Sequence, residues 1–307
     1  FGEIEIEGKL QEHNRVNVVP PLSPEEIRQI VTSAMKYAPA QPVVAKALVD
    51  IGLECLLFKD QLGEACAQFK VNDHLEQAQC ASRAYKQWLA GQLWRRERKL
   101  PNAEAVNAAL QIIQGNVQFD GCETIRLYNR VGKTGDAVFY DLCDKKWRAI
   151  RIDSNGWRVV SRPDALFRRF SHQLPQIVPV PGGSVRELLR FVNVKEADEQ
   201  LLLMVLAISS LIPGFPHPIA VPFGEQGSAK TTLFKVLRSL VDPSATAVMT
   251  FPRDRSELAQ LLSHHWTAYF DNVSSLNREQ SDMLCRAVTG EGFSKRRFYT
   301  DDDDVIY

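Results

Sequence analysis

The sequence predicts an α/β protein in three segments. A mainly helical N-terminal segment with a β-hairpin (1–120) precedes a small antiparallel β module and linker (121–182), and a core of alternating strands and helices follows (183–307). Three observations predict it. Apolar residues recur at helical spacing at Ile27, Ile30, Val31 and Met35, and again at Tyr85, Trp88, Leu89 and Leu93. Between 122 and 161 they shorten to strand-length runs separated by Gly, Asp and Asn. From Ile219 an apolar run enters a glycine-bearing loop and leaves as an amphipathic helix.

Bulk properties bound the rest. With 307 residues, 45% hydrophobic and 24% charged, the chain reads as a soluble protein of two or three domains. The formal net charge is zero, so any nucleic-acid surface must be local. No apolar run reaches membrane-spanning length, and Leu201–Leu211 reads as a buried helix. The chain opens at Phe1 with neither Met nor a signal-peptide pattern, which reads as a fragment. Six cysteines are scattered without a C-x-x-C, so buried reduced thiols are expected, and with them a cytoplasmic location. His264-His265 is the only histidine pair; it reads as a helix-end pair at the negative end of the dipole, not as a metal site.

In order, Ile4-Glu-Ile6-Glu alternates and predicts a strand or extended arm before the break at Pro20-Pro21. Ser23 as N-cap, Pro24 in the first turn and Glu26 completing a capping box open a helix. A second helix covers about 42–51. Leu53–Phe58 and Glu64–Val71 form the hairpin. Ser82 caps the helix of Tyr85 to Leu93, whose polar side carries Arg83, Lys86, Arg95, Arg96, Arg98 and Lys99. A solvated face with charges matched to the helix's C-terminal end accounts for them. With Trp94 among them, contact with a nucleic-acid backbone is the other reading. Asn102 caps a helix ending at Gly115. Thr124–Asn129, Ala137–Leu142, Trp147–Ile152 and Trp157–Val160 form a meander, and the four prolines of 162–181 mark a surface strap. Helices at Ser184–Val192 and Ala197–Leu211 lead into the core, the second apolar nearly all round, as a helix packed on a sheet would be.

The core opens with Gly224-Glu225-Gln226-Gly227-Ser228-Ala229-Lys230-Thr231-Thr232, between the strand Ile219–Phe223 and a helix with Leu233, Phe234, Val236 and Leu237 inward. This is the context of a phosphate-binding P-loop. Glycines let backbone N–H groups converge on phosphate oxygens, and the helix N-terminus adds partial positive charge. Lys230 would meet the β- and γ-phosphates of ATP, and the Thr231 hydroxyl would ligate Mg²⁺. Ala229 stands where the pattern has its second glycine, at a position entering the helix where a methyl is tolerated.

Ala245–Phe251 predicts a further strand, and Asp254 or Ser256 opens a helix to His264. Trp266 to Asn272 predicts a buried parallel strand ending in Asp271, where a Walker B acid holds the shell of Mg²⁺. A helix with Met283, Leu284 and Val288 inward follows. Then comes a hairpin with Lys295, Arg296 and Arg297 near its first arm and Asp301–Asp304 in its turn.

The segments Phe223-Gly-Glu-Gln-Gly-Ser-Ala-Lys-Thr-Thr, Val241-Asp-Pro, Pro252-Arg-Asp, Phe270-Asp-Asn, Leu284-Cys-Arg-Ala-Val-Thr-Gly-Glu-Gly-Phe and Tyr299-Thr-Asp-Asp-Asp-Asp-Val-Ile carry a resemblance. They resemble a family of bacterial ATP-binding proteins of phages and integrated elements, similar to superfamily 3 replicative helicases, a branch of the AAA+ ATPases. Ser82-Arg-Ala-Tyr-Lys-Gln-Trp-Leu and the β module extend the likeness over roughly 50–307.

The resemblance implies an AAA+-like core truncated before its lid, ATP bound between the subunits of a homo-hexamer, and single-stranded or forked DNA in the channel. Lys230, Thr231 and Asp271 would carry the Walker roles, and Lys295, Arg296 and Arg297 would reach the DNA. Such helicases carry a second acid where this chain has Asn272, so Asn272 takes that catalytic position. The sensor asparagine and arginine finger are not in this chain. The function implied is an ATP-dependent helicase or translocase in replication of a mobile element. The rivals are a non-motor initiator and a nucleotide-gated scaffold or defence protein.

Overall fold

The computed structural model describes residues 3–18, 20–37, 41–289, 294–296 and 304–306, with side chains over 7–18, 20–33 and 43–288. These divide into two compact units, 1–54 with 86–113 and 55–85 with 114–307.

In the first unit, α1 (Glu3–Asn17) replaces the expected strand. Alternation over four residues is too short to set the period, and the Glu, Lys, Leu and Gln of the same stretch favour helix. Asn14 then clamps the return of the chain: its side chain donates to Leu22 O and accepts from Leu22 N, both at 2.8 Å. The capping box opens α2 (Pro24–Tyr37) as expected, Ser23 N donating to Glu26 Oε2 at 2.8 Å and Glu26 N to Ser23 Oγ at 3.3 Å. Ile27 and Val31 are buried, whereas Ile30 is exposed. After α3 (Gln41–Leu53), the unit resumes in α4 (Arg83–Glu97), where Leu89 and Leu93 are buried. In α5 (Ala103–Phe119), Asn102 Oδ1 accepts from Ala105 N at 2.8 Å, and the helix runs on through Gly115.

The second unit begins with β1 (Leu56–Lys59), β2 (Ala65–Val71) and β3 (His74–Gln79) in one antiparallel sheet. The hairpin was expected; β3 was not. Its signal is the two-residue turn Asn72-Asp73, with Asn72 at φ 53°. The meander is displaced from its expected start. Only β4 (Leu127–Tyr128) forms within 124–129, and it pairs in parallel with β9 (Leu166–Phe167), inside the expected strap. The four antiparallel strands are β5 (Val131–Thr134), β6 (Ala137–Asp141), β7 (Ala149–Asp153) and β8 (Gly156–Val160). Gly132, expected in a turn, sits in β5; it is glycine there because a Cβ would lie 2.4 Å from the Tyr128 ring. The strap is not merely superficial: Ala165, Leu166 and Phe167 are buried in the cores of the β sheets.

A 3₁₀ helix (Val185–Phe191), capped by Ser184 and Glu187, and α6 (Ala197–Ser209) lead into the P-loop region. One face of α6 is buried through Leu203, Met204 and Ala207, but Leu201, Leu202, Val205 and Ile208 are exposed, so the helix is not enclosed. The expected strand 219–223 has no strand pairing among the described residues. Pro218 and Pro222 remove two ladder donors, and Val221 and Phe223 are 75% and 89% exposed.

The helix α7 (Lys230–Val241), β10 (Met249–Thr250), α8 (Arg255–His264), β11 (Phe270–Asp271) and α9 (Arg278–Thr289) follow. Both strands are shorter than expected, and they pair in parallel, Met249 opposite Phe270 and Thr250 opposite Asp271. Successive side chains of a strand face opposite ways. Tyr269 therefore packs with Leu203, Leu233 and Leu237 of α6 and α7, while Phe270 packs with Leu258, Met283 and Ala287 of α8 and α9. Finally, β12 (Ser294–Arg296) pairs antiparallel with β13 (Asp304–Ile306), Arg296 opposite Asp304. Arg297 and Asp301–Asp303 lie outside the described residues.

Candidate nucleotide site

The loop 224–229 turns sharply, with Gly227 at φ 86° and Gly224 at φ 147°. Ala229 is also left-handed, at φ 67° and ψ 24°. The expectation that this residue has already entered the helix is therefore corrected. It is the last residue of the turn, in a conformation where a Cβ costs about 1–2 kcal/mol. Alanine has no side chain to cap a helix, and among the described residues the first turn of α7 receives no side-chain cap bond. The N–H groups of that turn have no partner within the helix, as at the start of any α-helix.

Lys230 folds back into the loop. Its Nζ donates to Gly224 O at 2.9 Å, Glu225 O at 2.8 Å and Ser228 Oγ at 3.2 Å, which engages all three ammonium protons. One residue on, Thr231 Oγ1 donates to Asp271 Oδ2 at 2.6 Å. The other carboxylate oxygen accepts from Asn272 N at 2.9 Å, a contact made possible by the left-handed Asn272 at φ 57°. The Thr231 hydroxyl, then the Asn272 amide, hold the Asp271 carboxyl below the usual range, with smaller help from Lys230. Two residues 40 apart in sequence are thus joined at the carboxyl end of a parallel strand. Gln226 and Thr232 are exposed on the loop and first turn. The backbone of Lys295 and Arg296 lies on a separate two-stranded sheet.

Behind the site is a buried polar network that sequence reasoning missed. Arg130, Arg238 and Asp242 are almost fully buried. The Asp242 carboxylate accepts from Arg130 Nε at 2.9 Å, Arg238 Nη1 at 3.1 Å, Trp266 N at 3.1 Å and Thr267 N at 3.2 Å. Arg130 also donates to the carbonyls of Asp141, Leu174 and Pro243. Arg238 donates to Thr267 O and, at 2.6 Å, to His265 Nδ1. The end of α7 is held by the strap and module: Gln176 Nε2 donates to Ser239 O and Leu240 O, and Tyr140 Oη to Val241 O. These supply the donors that the last carbonyls of a helix lack. The network fixes where the segment leading to Asp271 leaves α8. Its one sequence signal was the i, i+4 pair Arg238–Asp242, hidden in an otherwise amphipathic helix.

His264 closes α8 and His265 is its C-cap, so the pair stands at the helix end as expected. Burial pushes both rings down, His265 to about 4, with His172 and Arg238 adding to the effect at His265 and Arg168 and His172 at His264. His264 stacks on Phe170 at 4.3 Å and His265 lies 3.9 Å from the His172 ring. Among the described residues no group of three or more His, Cys, Asp or Glu could hold a metal, and no helix is long and apolar enough to cross a membrane. All six cysteines are free; Cys66 and Cys80 are buried, whereas Cys285 is exposed.

The site falls within a recognised stretch of sequence. Residues 185–307 match the model of a family described as actinomycete integrative conjugative element replication protein. The match supports a replication protein of a mobile element and leaves 1–184 outside it. No curated protein and no solved structure matches the chain.

Proposed function

We propose that this protein is an ATP-dependent DNA helicase or translocase serving replication of a mobile genetic element, working as a hexameric ring with ATP and Mg²⁺ at the P-loop. The observation that carries the reading is the 2.6 Å contact between Thr231 Oγ1 and Asp271 Oδ2, beside a lysine that fills its own glycine-bearing loop. One hydroxyl and one carboxylate are hard oxygen donors, the sparse set suited to Mg²⁺, which keeps several of its waters. A bound Mg²⁺ would supply positive charge against the terminal phosphates. Thr231 and Asp271 would hold it; Lys230 would exchange its loop carbonyls for phosphate oxygens, and the uncapped start of α7 would face the same charge.

Asn272 favours a second reading. An amide orients water but does not take its proton, and its backbone is already committed to Asp271. A non-motor initiator, which binds ATP and DNA without unwinding, follows from a weak or absent base. ATP turnover by an intact chain, with and without single-stranded DNA, tests the proposal alongside strand displacement. DNA-stimulated turnover with displacement supports the motor. ATP binding with neither supports the initiator. A folded Lys230→Ala protein with unchanged ATP affinity and turnover refutes the P-loop assignment itself.

A further inference from the structure

We propose that the C-terminal end of α4 is a contact surface for single-stranded nucleic acid, with Trp94 as its stacking platform. It rests on the reading of this chain as a DNA-acting protein but uses residues outside the P-loop region and outside the family match. Between 83 and 99 stand six basic residues (Arg83, Lys86, Arg95, Arg96, Arg98, Lys99) and one acid, Glu97, in a chain whose net charge is zero. Two are engaged: Arg96 grips both oxygens of Glu54 at 2.5 and 2.7 Å, and Lys99 meets Glu97 at 2.8 Å. Arg95 and Arg98 have no carboxylate partner among the described residues.

The geometry around them is that of a base-and-phosphate site. Trp94 is 42% exposed, and the Arg98 guanidinium stands over its ring at 5.4 Å. Arg98 takes φ 57°, a left-handed conformation that glycine usually fills after a helix. Gln87, Gly91, Trp94, Arg95 and Arg98 recur at helical spacing along one face, opposite the buried Leu89 and Leu93. Gly91 is the telling residue. Glycine weakens a helix interior, yet a Cβ at Gly91 would meet nothing within 4 Å, so no packing requires it. A helical side chain leans toward the N-terminus of its helix, so the open surface at Gly91 adjoins the Trp94 ring. There a base can lie against the indole while Arg95 and Arg98 take the flanking phosphates.

The test is fluorescence anisotropy of a labelled oligothymidine and of a duplex, titrated with the full chain over a salt series, with each variant's unfolding midpoint measured alongside. Trp94→Ala should weaken oligothymidine binding about tenfold, and Trp94→Phe should restore most of it. Loss of both Arg95 and Arg98 to Ala should make the salt slope shallower by about 1.4, at roughly 0.7 per single-strand contact. Gly91→Gln should leave the unfolding midpoint undiminished and still weaken binding, because it fills the open surface. Unchanged affinity and slope in the folded variants overturns this surface alone, as do equal losses on duplex and single strand. Failure of the wild-type chain to bind either DNA overturns the DNA reading of the whole protein, and this surface with it.

Discussion

Asp242 is where the core is most sensitive to a small change. Its carboxylate receives two guanidinium donors and two backbone N–H groups in a site with almost no exposure. Asp242→Asn keeps the shape but removes the charge and turns one acceptor into a donor facing donors. Breaking a buried ion pair by altering one partner costs about 3–5 kcal/mol, because the remaining charge is left uncompensated. Two arginines are left here, so the upper part of that range applies. With a urea m-value of about 3 kcal/mol/M, the unfolding midpoint should fall by roughly 1–2 M. The arginines are unequal. Arg130 also serves three backbone carbonyls, each costing about 1–3 kcal/mol if unpaired, whereas the buried Nε of Arg238 has no hydrogen-bond partner among the described residues. Arg130→Met should therefore destabilise more than Arg238→Met. Urea unfolding followed by Trp fluorescence measures both. A midpoint for Asp242→Asn within a few tenths molar of wild type, or the reverse order of the arginines, would refute the network as a support of the core.

Three further outcomes are expected. Ala229→Gly should raise stability by roughly 0.5–1 kcal/mol, since release from the left-handed strain exceeds glycine's entropic loss; a fall of that size in thermal unfolding would show that the residue is not left-handed. Lowering the pH should destabilise the protein between about 6.5 and 4, because the unfolded chain binds protons that buried His265 and half-buried His172 and His264 refuse. His265, lowered to about 4 beside Arg238, Asp242 and His172, should alone account for about 2 kcal/mol between pH 7 and 5; a flat urea midpoint over that interval contradicts it. Asp271→Asn should fold, since its amide oxygen still accepts from Thr231, yet lose Mg²⁺-dependent ATP turnover; hydrolysis with wild-type Mg²⁺ dependence removes the metal role.

Sequence by itself determined the features that depend on neighbours in the chain. The Ser23–Glu26 box, the Asn102 cap and the β1–β2 hairpin are local hydrogen bonding and local period, and all are present. So is Asp271 at the end of a parallel strand, signalled by an apolar run that stops at an acid. The remainder was decided by contacts between distant residues. Nothing in 124–129 says that Leu127-Tyr128 pairs with Leu166-Phe167, because a strand's period does not name its partner. Nothing in Ile219–Phe223 supplies the neighbour a strand requires, and two prolines weaken its edge. The handedness of Ala229 follows from the angle at which the loop meets α7, not from alanine's own preference. The burial of Arg130 and Arg238 was the least legible of all. A charged side chain reads as surface until an acid 112 residues away, and the carbonyls around it, replace the water it gives up.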